Sequence, residues 1–132
     1  MTNLATLFKR ALEARENAYA PYSGFKVGAA VLASNERIYV GANTENISYP
    51  CGTCAEEAAI ASMVAAGERL ISDIVIVADA QNLISPCGAC LQRISEFSDS
   101  NTLVHLADLK DIQKTCRIVE LLPQPFDEDL KK

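Results

Sequence analysis

Residues 54–90, CAEEAAIASMVAAGERLISDIVIVADAQNLISPCGAC, predict a helix, a buried strand and a second helix in that order. The alanine-rich part from Cys54 to Ala66 is typical of a helix, and it stops at Gly67, a residue type that commonly ends helices. The continuous apolar run from Asp73 to Ala78 is typical of a strand buried on both faces. This stretch therefore predicts the middle of an α/β fold.

Local signals mark the start of the second of these helices and predict one more helix near the N-terminus. Pro86 suits the first position of a helix, with Ser85 as its cap. Near the N-terminus, apolar residues recur at helical spacing as far as Tyr19, with Thr2 or Asn3 as the cap. The sequence therefore predicts three helices in all.

The remaining segments predict strands, at residues 26–33, 37–42, 103–107 and 116–119. The first two are joined by a short polar turn, which predicts a hairpin. The order α-β-β-α-β-α-β-β indicates a three-layer α/β/α sandwich with a five-stranded mixed sheet. We expect one domain spanning residues 1–132.

Composition and charge exclude several classes of partner. The chain has 132 residues, 49% of them hydrophobic, and a net charge of −5. That charge disfavours polynucleotides and anionic membranes. No stretch approaches the roughly 18 uninterrupted apolar residues that a membrane span requires, and residues 1–10 lack the pattern of a secretory signal. We expect a cytoplasmic protein that binds neither nucleic acid nor membrane.

Cysteines carry the strongest chemical signal in the sequence. They stand at positions 51, 54, 87, 90 and 116, and His105 is the only histidine. An odd cysteine count without a secretory signal argues against a disulfide framework and favours metal binding or redox chemistry. The single histidine excludes sites that need two, such as those of HExxH metalloproteases.

Two CxxC pairs, Cys51–Cys54 and Cys87–Cys90, lie where helices are predicted to start. A helix N-terminus stabilises thiolate through free backbone N–H groups and the positive end of its dipole. Zinc is the natural ion for such a set of thiolates.

Glu56 stands two residues after Cys54, next to the predicted metal site. A carboxylate beside the metal, but not bound to it, can take a proton from water and pass it to a heterocyclic base. Cys54-Ala55-Glu56 followed by Pro86-Cys87-Gly88-Ala89-Cys90 is the signature of zinc deaminases. The pattern therefore predicts deamination of a base.

Three other interpretations remain open from the residues alone. Both CxxC pairs together could form a structural Cys₄ zinc site, although residues 55–86 make a longer spacer than the roughly 15–20 residues usual there. Thr53-x-x-Glu56 also matches a capping box, in which the glutamate only bonds a backbone N–H. A redox CxxC would need a thioredoxin-like βαβ pattern, which the order of elements does not supply.

The chain resembles the small homotetrameric cytidine deaminases from Ala18 to Phe126. The likeness rests on five motifs that occur in the family's order: the segment from Ala20 to Ala30, Asn43-Thr44-Glu45-Asn46, Cys54-Ala55-Glu56, Ser85 to Cys90, and Glu120-Leu121-Leu122-Pro123 with Phe126. Together these motifs are very specific.

The resemblance implies a site and a reaction. Cys54, Cys87 and Cys90 would bind one Zn²⁺ per chain and leave the fourth position for water, with Glu56 as the proton shuttle. The reaction would be hydrolytic loss of ammonia from C4 of cytidine or deoxycytidine, in pyrimidine salvage. A related deaminase of another amino-heterocycle, such as a nucleoside antibiotic, is the alternative.

The resemblance also implies substrate contacts and an assembly. Asn43 and Glu45 would bond the ribose hydroxyls, Phe25 would pack against the nucleoside, and backbone N–H groups near Ala55 would help to hold the reacting groups. Phe126 would reach into the site of a neighbouring subunit in a homotetramer.

The chain departs from the family's pattern at two positions. Glu57 and Leu91 stand where the family commonly has arginine. Three thiolates and one Zn²⁺ sum to −1, and a nearby guanidinium would offset that charge. We hypothesise that Arg93, one turn beyond Cys90, reaches the site and does so.

Overall fold

Five strands form one mixed sheet in the computed structural model, which describes residues 3–127. The strands are β1 (Val27–Ala33), β2 (Ile38–Ala42), β3 (Ile71–Ala78), β4 (Leu103–Ala107) and β5 (Ile112–Arg117). They lie in the order β2-β1-β3-β4-β5, in which β3 and β4 pair in parallel and the other neighbours are antiparallel. The predicted hairpin is the β1–β2 pair.

Helices cover both faces of this sheet, which confirms the predicted three-layer α/β/α sandwich. They are α1 (Leu4–Glu16), α2 (Ala55–Ala65), α3 (Gly88–Glu96) and the short α4 (Ile118–Leu121), with a 3₁₀ turn at Tyr49–Cys51. One core cluster joins α1 to the sheet, and a second, larger cluster joins α2 and α3 to the opposite face. Because strand side chains alternate between faces, β1, β2, β3 and β4 each supply residues to both clusters.

Two glycines let helices approach the sheet closely. A Cβ on Gly28 would lie 2.1 Å from the carbonyl oxygen of Ala11 in α1. A Cβ on Gly41 would lie 2.4 Å from the backbone nitrogen of Ala59 in α2. The distance of each helix from the sheet is therefore set by the absence of a side chain at these positions.

The start of α1 and the end of α2 agree with the sequence signals. The Asn3 side chain accepts a hydrogen bond from the Thr6 backbone N–H at 2.8 Å, which makes Asn3 the cap. The alternative cap, Thr2, lies outside the described residues. Gly67 adopts a φ of +97°, a conformation that favours glycine and ends the chain's helical course after α2.

Three predicted boundaries are wrong. The first helix ends at Glu16 rather than at Tyr19, which forms a β-bridge with Thr44 instead. The third helix begins at Gly88 with Cys87 as its N-cap, rather than at Pro86 with Ser85 as cap, because Cys87 is still extended, with φ −69° and ψ 167°. The last strand begins at Ile112 and ends at Arg117, so Val119 lies in α4 rather than in a strand. The first half of β5 was missed because its residues are polar and exposed and therefore lack an apolar pattern, but β5 pairs with β4 along its length.

His105 is a buried part of the sheet, as its flanking apolar residues suggest. Its Nε2 lies 2.8 Å from Oδ1 of Asp73 in β3, and its Nδ1 lies 2.7 Å from Oγ1 of Thr115 in β5. The imidazole thus links three adjacent strands. Among the described residues, no helix is long and apolar enough to cross a membrane.

Candidate functional site

A cavity of about 270 Å³ opens where α2 and α3 begin. Its lining includes three of the five cysteines together with Glu56. The lining residues are Val27, Asn43, Cys54, Ala55, Glu56, Ile76, Ile84, Ser85, Pro86, Cys87 and Cys90. Residues from two CxxC-bearing segments that are distant in sequence therefore meet at one place, against the sheet.

The two helices place the thiols at their N-termini. Cys54 is the N-cap of α2, Cys87 is the N-cap of α3, and Cys90 lies in the first turn of α3. Both helix dipoles therefore point their positive ends at the sulfur atoms, which favours thiolate. β2 and β3 run in the same direction because each is antiparallel to β1, so α2 and α3, which follow them, begin at the same end of the sheet.

Burial opposes ionisation of two of the thiols. The Cys54 and Cys90 side chains are hydrogen-bonded to each other, and burial raises the pKa of both thiols above the ordinary value. The nearby Glu56 charge raises the pKa of each further. A divalent cation would reverse this balance, because metal binding displaces thiol protons.

The donor chemistry fits zinc. Three thiols and one non-ligating carboxyl share the cavity, which matches a catalytic site with three protein ligands and one open position. Within residues 3–127, no group of three or more His, Cys, Asp and Glu side chains is arranged so as to hold a metal ion, so the fit rests on the shared cavity and the identity of the donors. Cys51 is exposed, outside the lining of this cavity, with its sulfur 3.6 Å from Ser48 Oγ.

Glu56 is buried and faces this cavity. It is 6% exposed, and burial raises the pKa of its carboxyl. Its own backbone N–H and the charge of Arg93 partly oppose that rise. A buried carboxyl with a raised pKa is suited to accept and return protons near neutral pH.

The capping role belongs to Glu57, not to Glu56. Cys54 caps α2, and its backbone N–H donates to Glu57 Oε1 at 3.3 Å. The alternative interpretation, a capping box formed by Thr53 and Glu56, is therefore wrong by one residue. Because Glu57 accepts the backbone N–H at the start of α2, the Glu56 carboxyl is not needed for capping and can face the cavity.

Arg93 reaches the thiol site, as hypothesised. Its Nη1 lies 3.6 Å from Cys90 Sγ, and its Nη2 lies 3.5 Å from Oε2 of Glu57. Leu91, the other departure from the family's pattern, is buried in the core. The cation beside the thiols thus comes from the second turn of α3.

The predicted substrate residues divide between two cavities. Asn43 and Ala55 line the thiol cavity, whereas Glu45 lines a neighbouring cavity of about 320 Å³ with Tyr22 and Tyr49. Phe25 is partly exposed and lines neither cavity. The two tyrosine rings meet edge to face, with centroids 6.0 Å apart.

Asn43 and Glu45 also organise the polypeptide around the cavities. Asn43 Oδ1 accepts from the Val27 backbone N–H, and its amide donates to the Phe25 carbonyl, both at 2.8 Å. Glu45 accepts from the backbone N–H groups of Tyr22 and Ser23 and from the Ser23 hydroxyl. The Ser23 hydroxyl and these N–H groups lower the pKa of Glu45, so its carboxylate stays ionised.

Phe126 projects from the surface with its backbone held by Gln92. Gln92 Nε2 donates to the Phe126 carbonyl at 2.9 Å, and the Phe126 N–H donates to Gln92 Oε1 at 3.0 Å. The Phe126 side chain is nevertheless 74% exposed. The roles of Gln92 and Glu57 were missed from the sequence, where the only signal was their position beside the cysteine motifs.

Comparisons with known proteins agree with this geometry. Residues 1–106 match the family described as the cytidine and deoxycytidylate deaminase zinc-binding region. Cytidine deaminase of Halalkalibacterium halodurans is 42% identical over 120 residues, which cover 91% of each chain. Cytidine deaminase of Sporosarcina psychrophila is 44% identical over 124 residues, which cover 93% of this chain and 90% of that one.

Solved structures show the same likeness in three dimensions. The 1.6 Å crystal structure of cytidine deaminase from Burkholderia pseudomallei superposes with a TM-score of 0.88 at 38% identity, covering 95% of this chain and all of that one. The crystal structure of cytidine deaminase from Mycobacterium tuberculosis gives a TM-score of 0.83 at 31% identity, covering 97% of this chain.

The fold and the matched motif define a class, the zinc-dependent deaminases that hydrolyse an amino group. Within that class, the chain belongs to the family of cytidine and deoxycytidylate deaminases. The predicted fold class and the resemblance are therefore confirmed. A purely structural Cys₄ module and a redox CxxC protein are set aside by this membership.

Proposed function

We propose that this chain removes ammonia hydrolytically from C4 of cytidine or deoxycytidine, giving uridine or deoxyuridine for pyrimidine salvage. One observation carries the proposal: a buried carboxyl, Glu56, shares a cavity with three cysteine thiols presented by two helix N-termini. The family to which the chain belongs supports the reaction type.

Cys54, Cys87 and Cys90 would hold one zinc ion per chain. Zinc bound by three thiolates supplies a Lewis acid that makes water nucleophilic at neutral pH. Glu56 would carry one proton of the attacking water to N3 of the pyrimidine and the other to the C4 amine, which leaves as ammonia while the water oxygen becomes O4. The apolar side chains of Val27, Ile76 and Ile84 shield this transfer from bulk solvent.

The residues at the cavity mouths suit a free nucleoside. Asn43 and Glu45 would accept hydrogen bonds from the ribose hydroxyls through lone pairs that their backbone contacts leave unused. Phe25 would pack on the nucleoside, and the backbone near Ala55 would orient the reacting groups. Because Glu45 stays ionised, it would repel a 5′-phosphate, which favours cytidine over its nucleotides.

We further propose a homotetramer whose sites are completed across subunits. Phe126 is held by its backbone while its ring is exposed. Tyr49, which lines the cavity of about 320 Å³, is 74% exposed, and Ile47 is 82% exposed. Apolar side chains this exposed favour burial against another copy of the chain. Five unpaired cysteines suit a reducing compartment, so we place the enzyme in the cytoplasm.

Ultraviolet assay of cytidine hydrolysis tests the proposal directly. Zinc-loaded protein should convert cytidine and deoxycytidine. Glu56→Gln should lower kcat by about 100-fold to 10,000-fold because the residue that carries the proton is lost. The same variant should keep its zinc. Cys51→Ser is the matched control and should keep both zinc and turnover, whereas Cys87→Ser should lose both.

Two results would contradict the proposal. If cytidine is untouched while another amino-heterocycle is hydrolysed, the enzyme is a deaminase of different specificity. If Cys51→Ser loses its zinc as Cys87→Ser does, the ion is held by four thiols and no open position exists for water.

A further inference from the structure

The Arg93 guanidinium stands beside a metal-binding thiol. Its Nη1 lies 3.6 Å from Cys90 Sγ, within hydrogen-bond range for sulfur. Arg93 follows Cys90 by three residues on α3, and residues at that spacing lie on the same helix face. The contact is therefore built into a regular helix and needs no special loop.

Glu57 holds this guanidinium from the other helix. One carboxylate oxygen of Glu57 accepts the Cys54 backbone N–H at 3.3 Å, and the other lies 3.5 Å from Arg93 Nη2. Both side chains are little more than one-third exposed, so solvent reaches the pair but does not surround it. Glu57 thereby connects the start of α2, where Cys54 is, to the cation on α3.

The ion pair between Glu57 and Arg93 can offset the charge of the metal-loaded thiol site. When a divalent ion displaces the protons of three thiols, the cluster changes from neutral to a net charge of −1. Glu56 adds a carboxylate that is 6% exposed beside the same cavity. An adjacent guanidinium favours the more negative, metal-loaded state, and a partner carboxylate favours keeping the guanidinium in place.

We propose that Arg93 is the cation that offsets the thiolate charge of the zinc site, and that Glu57 is the residue that positions it. The arginine that the family commonly carries directly after the catalytic glutamate is thus replaced by an ion pair across α2 and α3. The inference rests on the proposed function only in taking zinc as the bound ion. Arg93 supports the metal ligands and does not contact substrate.

Zinc affinity provides a readout that is independent of turnover. Purified full-length protein is titrated with Zn²⁺ against a chromogenic chelator at one neutral pH. Arg93→Gln should weaken zinc binding about tenfold, at the lower end of the range for residues that support metal ligands. Arg93→Lys should recover part of this loss, because it restores the charge without the planar fork.

A double-mutant cycle separates the two roles. Glu57→Gln alone should weaken zinc binding by about threefold, and it should have no further effect in the Arg93→Gln background, because Glu57 acts through Arg93. The matched control is Arg117→Gln, which breaks the exposed Arg117–Glu120 pair at the start of α4. That variant should bind zinc like the parent chain.

The outcomes are distinct from those of the activity assay. Unchanged zinc affinity in Arg93→Gln, or additive effects of the two substitutions, overturns this inference even if cytidine is hydrolysed. A chain that binds zinc with the expected Arg93 dependence but leaves cytidine intact supports this inference and contradicts the proposed function.

Discussion

Glu56 and His105 are both buried ionisable residues, and they lie on opposite faces of the same sheet. His105 is 2% exposed, and both of its ring nitrogens have partners within the protein. Glu56 is 6% exposed and lines a cavity. A buried polar group whose partners are all internal serves the fold, whereas one that opens on a cavity is available to a ligand. Three predictions test this contrast.

Removal of the imidazole should have the largest effect on stability. His105→Ala deletes a buried ring and two hydrogen bonds, so the free energy of unfolding should fall by about 3 kcal/mol in urea denaturation. Its kcat on cytidine should match the parent's at a temperature where it remains folded. A kcat loss as large as that of Glu56→Gln would contradict the division between the two faces.

Substitution of the close-contact glycines should affect the two faces differently. Gly28→Ala and Gly41→Ala each force a helix away from the sheet, at a cost of about 1–3 kcal/mol. Gly41→Ala displaces α2, which carries Cys54 and Glu56, so its kcat should also fall by about tenfold to 100-fold.

Gly28→Ala is the matched control because it displaces α1, which carries no proposed site residue. Denaturation and cytidine hydrolysis measured on both variants give the comparison. Equal kcat losses would show that the position of α2 does not control the chemistry.

Loss of a helix cap should have the smallest effect. Asn3→Ala removes the hydrogen bond to the Thr6 N–H at 2.8 Å, so unfolding should become easier by about 1 kcal/mol. The change lies on the α1 face, and cytidine turnover should not change. A measurable fall in kcat would indicate that the α1 layer is coupled to the site.

The sequence predicted the elements whose patterns are local. β3 and α2 could be predicted from their apolar and alanine-rich sequences. A strand buried on both faces and a helix packed closely on the sheet each accept only a few residue types. β5 was placed too late, since this edge strand leaves Gln113, Lys114 and Thr115 exposed and therefore tolerates polar residues there. Its pairing with β4 is a long-range property that a local pattern does not carry.

Within the site, residue types were predictable but their division of labour was not. The two CxxC pairs at helix starts follow from spacing, but the choice of Cys54, Cys87 and Cys90 over Cys51 was implied by the resemblance to the cytidine deaminases. Which of two adjacent glutamates caps α2 depends on where the helix begins, and a shift of one residue exchanges the roles of Glu56 and Glu57. The contact between Arg93 and Glu57 arises only when α2 and α3 pack together.

The Gln92 clamp on Phe126 has a consequence for how specificity can change. Both hydrogen bonds involve main-chain atoms of Phe126, so they do not depend on which side chain stands at position 126. A different ring or chain at position 126 would be delivered to the same place without rebuilding its support. Evolution or design can thus replace the side chain at position 126 while the Gln92 hydrogen bonds keep the backbone in place.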